Sequence, residues 1–412
     1  MSRGGYRWAV VGMLWFVCMF NYADRQAIFS VFPLLKEQMQ LSLVDRGVLA
    51  SAFMWPYALA LPFAGVIADR VNRKALILGG LVFWSLITLA TGFATEFWHL
   101  VVFRALEGLG EAFYFPASMS LISDYHGKDT RSRAMGLHQS SVYAGTVLGG
   151  VVAGYCGDTY GWQLGFYVFG GLGVVLAAVL VLALREPIRG ATEPDAVTSP
   201  PTWDVFRGAG EVVRIPMALM LTAVFVGANF VAIIFLTWMP TYLHDTFKMD
   251  LTMSGLNATL WLQAASVVGV ICGGWLADQW SRQMAGGRPL VQALGLFLGA
   301  PLIAVTGWTL EIPTLVLAMA GFGFCKGLYD ANIWASLYDS VPAHRRATAQ
   351  GLMNSIGWLG AAFGPIAIAA GSARYGMGPC LSATSILYVG CGILLVVGTL
   401  VFVRSRPKEA VA

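Results

Sequence analysis

Charge is scarce in this chain: Asp, Glu, Lys and Arg make up 12% of 412 residues, against about 25% in soluble domains. That deficit excludes an ordinary water-soluble domain. With 57% hydrophobic residues and a mean hydropathy of +0.67, it indicates a polytopic membrane protein. Cysteine is sparse and unpatterned. Cys18, Cys156, Cys272, Cys325, Cys380 and Cys391 show no CxxC or metal-ligand spacing, so they read as small apolar packers and not as a disulfide frame. No GxxxxGK[ST] loop is present, which argues against a nucleotide-driven machine. The five histidines (His99, His126, His138, His244, His344) lie at helix ends or beside polar residues without pairing as ligands, so no metal site and no bound cofactor are expected. The net charge of +4 comes without a basic run interleaved with aromatics, so no nucleic-acid partner is expected either.

What the chain has in abundance is long apolar runs. Twelve segments reach the roughly 20 residues that a bilayer core requires: 8–35, 47–68, 74–94, 98–123, 133–157, 162–184, 215–243, 254–277, 289–309, 312–337, 347–371 and 379–403. Arg3 and Arg7 precede the run 8–20 as in a secretory signal. No small-residue cleavage site follows, so the segment is expected to be an uncleaved first span. One long polar break separates two halves, giving an N-terminal six-helix bundle (1–190), a cytoplasmic central loop (191–214) and a C-terminal six-helix bundle (215–412). Of the 26 Lys and Arg, 19 fall in loops on the side of the N-terminus, four on the other side and three within spans. The positive-inside rule then places both termini and the central loop in the cytoplasm, with the cell (inner) membrane as the expected location and a monomer as the expected state.

The halves repeat each other. Gly65, Asp69 and Arg73 recur as Gly274, Asp278 and Arg282 at a displacement of 209 residues, and Asp124 with Gly136 recurs as Asp339 with Gly351 at 215. Pseudo-symmetric halves are the architecture of transporters that bind substrate near the bilayer midplane. Asp69, Arg70, Arg73, Asp278 and Arg282 lie at cytoplasmic helix ends, where a carboxylate and an arginine can latch neighbouring helices, so they are read as gating residues.

Charges inside the spans are costly and mark candidate sites. In the fourth span, FRALEGLGEAFYF holds Arg104, Glu107 and Glu111. At about 100° per residue Glu107 and Glu111 lie roughly 60° and 20° from Arg104, so all three share one face. The first span carries Asn21-Tyr22-Ala23-Asp24-Arg25, roughly 24 Å from its cytoplasmic start at 1.5 Å per residue. Arg104 enters from the opposite side to a similar depth. Asp24, Arg25, Arg104 and Glu111 can therefore meet, either as a static ion-pair knot or as a cycle in which a protonated carboxylate releases an arginine to an anionic substrate. Lys326 and Asp330 in the tenth span are spaced to pair and serve either structure or substrate. Asn332, Trp334, Tyr338 and Asn354 stand nearby in sequence or in the next span. Glu107 is the least explained of the three charges in the fourth span, a structural partner either to Arg104 or to a polar group on a neighbouring helix.

The twelve spans, the repeat and the loops GVIADRVNRK and GGWLADQWSR resemble the major facilitator superfamily, an all-α fold of twelve transmembrane helices. Within it, NYADRQ, Arg104 with Glu111, TWMPTYL at 237–243 and KGLYDANIWASLYDSVP at 326–342 resemble the anion:cation symporter family of organic-acid carriers. The resemblance implies no enzyme activity, the lipid bilayer and a small organic anion as partners, and the proton as coupling ion. It implies Asp24 and Glu111 as protonation sites, Arg25 on the substrate carboxylate, and Arg104 linking the carboxylates to substrate occupancy. Tyr22, Tyr57, Trp334 and Asn354 fall where such carriers line a sugar-acid pocket, with Lys326 and Asn332 as further candidates for substrate contact. Val142 and Trp358 depart from the sugar-acid pattern, which argues for a less hydroxylated or larger substrate. RALEGLGEAFYFP also resembles the Spinster-like transporters, whose resemblance implies a lysolipid or other amphiphile as cargo. A nutrient receptor on a transporter fold is the remaining alternative.

Overall fold

The computed structural model describes residues 3–188, 205–284, 286–342 and 345–404, and no strand occurs among them. The chain begins with α1 (Arg3–Ser30) and the short α2 (Phe32–Gln38). Pro33 sits in the first turn of α2, where its missing N–H breaks no helical bond. α3 (Leu43–Arg70) opens with a capping box: Ser42 Oγ accepts from Asp45 N at 3.1 Å, and the Asp45 carboxylate accepts from Ser42 N at 2.9 Å. Asn72 caps α4 (Arg73–Thr91) by accepting from Ala75 N at 2.8 Å.

The fourth span is broken into α5 (Phe97–Glu111) and α6 (Tyr114–Tyr125). Pro116 explains the break, because a proline ring clashes with the carbonyl four residues back, here at Ala112. α7 (Lys128–Thr159) and α8 (Trp162–Ala183) complete the N-terminal set, turning at Gly161 with φ 102°, a conformation that favours glycine. The rest comprises α9 (Val205–Val212), α10 (Pro216–Phe247), α11 (Leu251–Gln283), α12 (Gly287–Trp308), α13 (Ile312–Ser340), α14 (Arg346–Ala361), α15 (Gly364–Tyr375) and α16 (Met377–Arg404). Pro365 breaks the eleventh span between α14 and α15 as Pro116 breaks the fourth.

Two compact units emerge: residues 1–203 with 243–256, and residues 204–242 with 257–412. The apex of the α10–α11 hairpin thus belongs to the first unit. There the Asp158 carboxylate accepts from Leu251 N at 3.0 Å and Thr252 N at 2.8 Å, capping α11. The segment 191–214 is not loop throughout. Residues 189–204 lie outside the described ones, but α9 forms beyond them, and its Glu211 accepts from Arg345 Nε and Nη2, both at 2.7 Å, in the second unit. A bidentate guanidinium–carboxylate pair of this kind fixes a short helix that its own length would not.

Among the described residues nine helical spans are long and apolar enough to cross a membrane. The three remaining segments of the twelve are α1, the α5–α6 pair and α7. The first two fall short because they carry the buried charges, and α7 because of its polar first turns from Lys128 to Ser141. The chain is an all-α polytopic membrane protein, and its outer surface agrees: Leu182 is 86% exposed, Ile386 74% and Trp98 66%, an apolar surface suited to lipid and not to water. All six cysteines are free thiols, four of them buried.

Candidate functional site

Close helix approach builds the site in the first unit. A Cβ added to Gly108 of α5 would lie 2.1 Å from the Phe53 carbonyl oxygen of α3, and one at Gly149 of α7 would lie 2.3 Å from the Ala23 carbonyl oxygen of α1. Only glycine permits these backbones to touch. The result is a cluster with Asp24, Glu107, Glu111 and Arg104 each 1% exposed and Arg25 9% exposed.

The charges sort into two ion pairs and a remainder. Arg25 Nε donates to Glu111 Oε2 at 2.5 Å. Its guanidinium lies against three rings, with Cζ 4.7 Å from the centroid of Tyr22, 4.8 Å from Phe53 and 4.6 Å from Tyr57, a cation–π cage that holds the plane of the group. Arg104 Nη1 donates to Glu107 Oε2 at 2.6 Å, and its Cζ lies 4.7 Å from the centroid of Phe53, the ring it shares with Arg25. Asp24 is the remainder. No cation among the described residues comes within ion-pairing distance of it, Oδ1 has no partner, and Oδ2 faces the Thr88 hydroxyl at 3.4 Å. Burying an ionised carboxylate without a cation is strongly unfavourable.

The structure thus brings Asp24, Arg25, Arg104 and Glu111 into one cluster, with the partnering differing from the simplest expectation. Arg104 is held by Glu107 and not by Asp24 or Glu111, one of the two partnerships that the sequence leaves open for Glu107. Phe53 and Thr88 are further members of the site, and little in the sequence marks them. A phenylalanine one turn before Tyr57 is the only sequence signal for the first, and a hydroxyl in an otherwise apolar span the only one for the second.

In the second unit, Lys326 pairs with Asp330, and Trp334 packs on Phe225 with ring centroids 5.2 Å apart. Asn354 is half-buried. Asn332, an expected substrate contact, lies at a helix–helix junction. It is 2% exposed, and its amide donates to the Gly273 and Leu328 carbonyls, both at 3.1 Å, so one donor joins α13 to α11 and the other returns to the preceding turn of α13.

The gating motifs also pair differently from the sequence repeat. Arg73 is buried and donates to Asp124, to Glu186 at 2.9 Å and to Ser120 Oγ at 3.1 Å. Arg288, not Arg282, makes the corresponding contacts in the second unit, to Asp339 at 2.5 Å and Asp278 at 3.5 Å. Arg288 stands 215 residues after Arg73, as Asp339 does after Asp124, so the arginine follows the register of its aspartate and not that of Asp69. Arg282 and Arg70 are exposed, and the Asp69 side chain lies outside the described residues.

The model of the family described as Major Facilitator Superfamily matches residues 14–365 and 286–411. The "Probable anion transporter 1, chloroplastic" of Oryza sativa subsp. japonica is 30% identical over 381 residues, 88% of this chain and 70% of that protein. "Protein spinster homolog 1" of Xenopus tropicalis is 28% identical over 364 residues, covering 83% and 68%. The "Probable galactarate/D-glucarate transporter GudP" of Escherichia coli K12 is 25% identical over 394 residues, covering 89% and 87%. A crystal structure of a bacterial homologue of the human lysosomal transporter Spinster, inward-facing and unoccupied, superposes with a TM-score of 0.85 over 98% of this chain and 99% of that one, at 21% identity, a likeness of fold. The repeat, the helix order and the family match agree: the chain belongs to the Major Facilitator Superfamily and is a membrane transporter.

Proposed function

We propose that this transporter is a proton-coupled symporter of a small organic anion, a sugar acid or another carboxylate, working by alternating access in the cell (inner) membrane with both termini cytoplasmic. The observation that supports it most is the Arg25–Glu111 pair: a caged guanidinium, the least buried charge of the cluster, held by a carboxylate with one oxygen that has no partner. While Glu111 is ionised it neutralises Arg25. Protonation of Glu111 removes that charge and turns the guanidinium towards the carboxylate of the substrate, while Tyr22, Phe53 and Tyr57 keep its plane fixed. The anion then binds when a proton is already present, so the binding of one favours the binding of the other, as symport requires. The names of the rice and Escherichia coli relatives, an anion transporter and a galactarate/D-glucarate transporter, favour an anionic cargo, and the excess of Lys and Arg on one side favours cytoplasmic termini.

The test is uptake into proteoliposomes with the outside made acidic, using galactarate, D-glucarate, an aromatic acid and a short monocarboxylate as probes, for the wild type and Glu111→Gln. The wild type should accumulate one of these anions above its external concentration, and Glu111→Gln should only equilibrate it. Accumulation by Glu111→Gln equal to wild type overturns the mechanism. Carriage of a lysolipid or other amphiphile is the rival reading, supported by the relative named for Spinster. Uptake of lysophosphatidylcholine with none of the acids carried would establish it instead.

A further inference from the structure

Thr88 of α4 lies between the two carboxylates that the Arg25–Glu111 mechanism leaves aside. Its Oγ1 is 3.1 Å from Glu107 Oε1, 3.4 Å from Asp24 Oδ2 and 3.0 Å from the Trp84 carbonyl oxygen. A threonine hydroxyl has a single hydrogen and two lone pairs, so it cannot donate to three acceptors at once. Two ionised carboxylates on either side would leave one of them facing an oxygen lone pair in a water-poor interior. A proton on either acid resolves the conflict. With the proton on Asp24, the carboxyl O–H donates to Thr88 Oγ1, whose own hydrogen is given to Glu107. With the proton on Glu107, the same chain runs in the opposite sense.

Charge balance points the same way. The groups facing the pair are Arg25 from α1 and Arg104 and Glu111 from α5. Among the described residues α3, α4, α7 and α8 bring no other charged side chain to it. Two cations therefore meet three carboxylates, and one proton makes the buried cluster neutral. We propose that Asp24 and Glu107 form one acid pair that shares a single proton through the Thr88 hydroxyl, with Glu107 as the positioning residue that ties Arg104 to the protonation of Asp24. When the proton sits on Asp24, Glu107 is ionised and grips Arg104. When it crosses Thr88 to Glu107, Asp24 becomes the anion and Arg104 is turned over to it. The step moves one proton between two carboxylates and needs no other reactant. It rests on the symport reading for its use in transport, but not for its existence.

Infrared spectroscopy of the purified, substrate-free protein in lipid nanodiscs at neutral pH tests this without any transport measurement. The wild type should show a protonated-carboxyl C=O stretch. The band should vanish in both Glu107→Gln and Asp24→Asn, because either change leaves two cations with two carboxylates. Thr88→Val should keep the band but shift it, and Thr88→Ser should restore its position. Absence of the band in the wild type, its survival in Glu107→Gln, or an unmoved band in Thr88→Val each overturns the proposal. A band lost only in Glu111→Gln also overturns it while leaving the symport reading intact. Conversely, proton-independent uptake with the predicted infrared pattern removes the symport reading and leaves the shared proton standing.

Discussion

Replacing Arg104 with methionine removes the cation of a buried ion pair and leaves its carboxylate in place. Both side chains are 1% exposed, with Arg104 Nη1 2.6 Å from Glu107 Oε2, so no water stands ready to take over. Removing one partner of such a pair costs about 3–5 kcal/mol, whereas exchanging both for apolar groups of similar volume is close to neutral. For a unit of about 200 residues each kcal/mol moves Tm by about 2–4 °C. Arg104→Met is therefore expected to unfold about 6–20 °C below the wild type at neutral pH, and the double variant Arg104→Met/Glu107→Leu within a few degrees of it. Acidification should narrow the gap for the single variant, because a protonated Glu107 needs no cation. Thermal unfolding in detergent, followed by the fluorescence of the 14 tryptophans, reads all three. Equal Tm for single and double variants, or a gap indifferent to pH, would refute the claim that Glu107 depends on the charge of Arg104.

Two further outcomes follow from packing and from the paired arginines. Gly108→Val should abolish folded yield, since its Cβ would meet a backbone oxygen at 2.1 Å, while Gly136→Ala, with nothing within 4 Å of the added Cβ, should purify normally. Size-exclusion profiles of the two variants decide, and a well-folded Gly108→Val contradicts the close approach of α3 and α5. Arg73→Ala should lower Tm more than Arg288→Ala. Arg73 is 1% exposed between two acids and Arg288 30% exposed, so the first loss is of the buried kind, about 3 kcal/mol or more, and the second of the surface kind, about 1 kcal/mol or less. Equal losses would show that burial does not set the difference.

The depth of each charge was legible in the chain because rise per residue is nearly constant in a helix. Asp24 and Arg25 counted from one end, and Arg104 counted from the other, reach the same level, and the structure has them in one cluster. Which cation meets which carboxylate was not legible. Arg104, Glu107 and Glu111 share a face, so periodicity leaves either glutamate open to Arg104, and the decision comes from α1, where Arg25 occupies Glu111. Thr88 was hidden for a related reason: a hydroxyl in a transmembrane helix ordinarily bonds the carbonyl four residues back, here that of Trp84 at 3.0 Å, and only the approach of α1 and α5 offers its one hydrogen two carboxylates instead. The arginine repeat misled through spacing. Arg282 continues the pattern of Arg73 along its own helix end, but the aspartates Asp124 and Asp339 select Arg73 and Arg288.

Proton-driven accumulation in proteoliposomes, compared between the wild type and Glu111→Gln with the outside acidic, tests the function most directly. Concentration of an organic anion by the wild type, abolished by Glu111→Gln while facilitated exchange persists, is the predicted result. Accumulation that survives the substitution would contradict a coupling role for Glu111 and, with it, the release of Arg25 as the step that admits substrate.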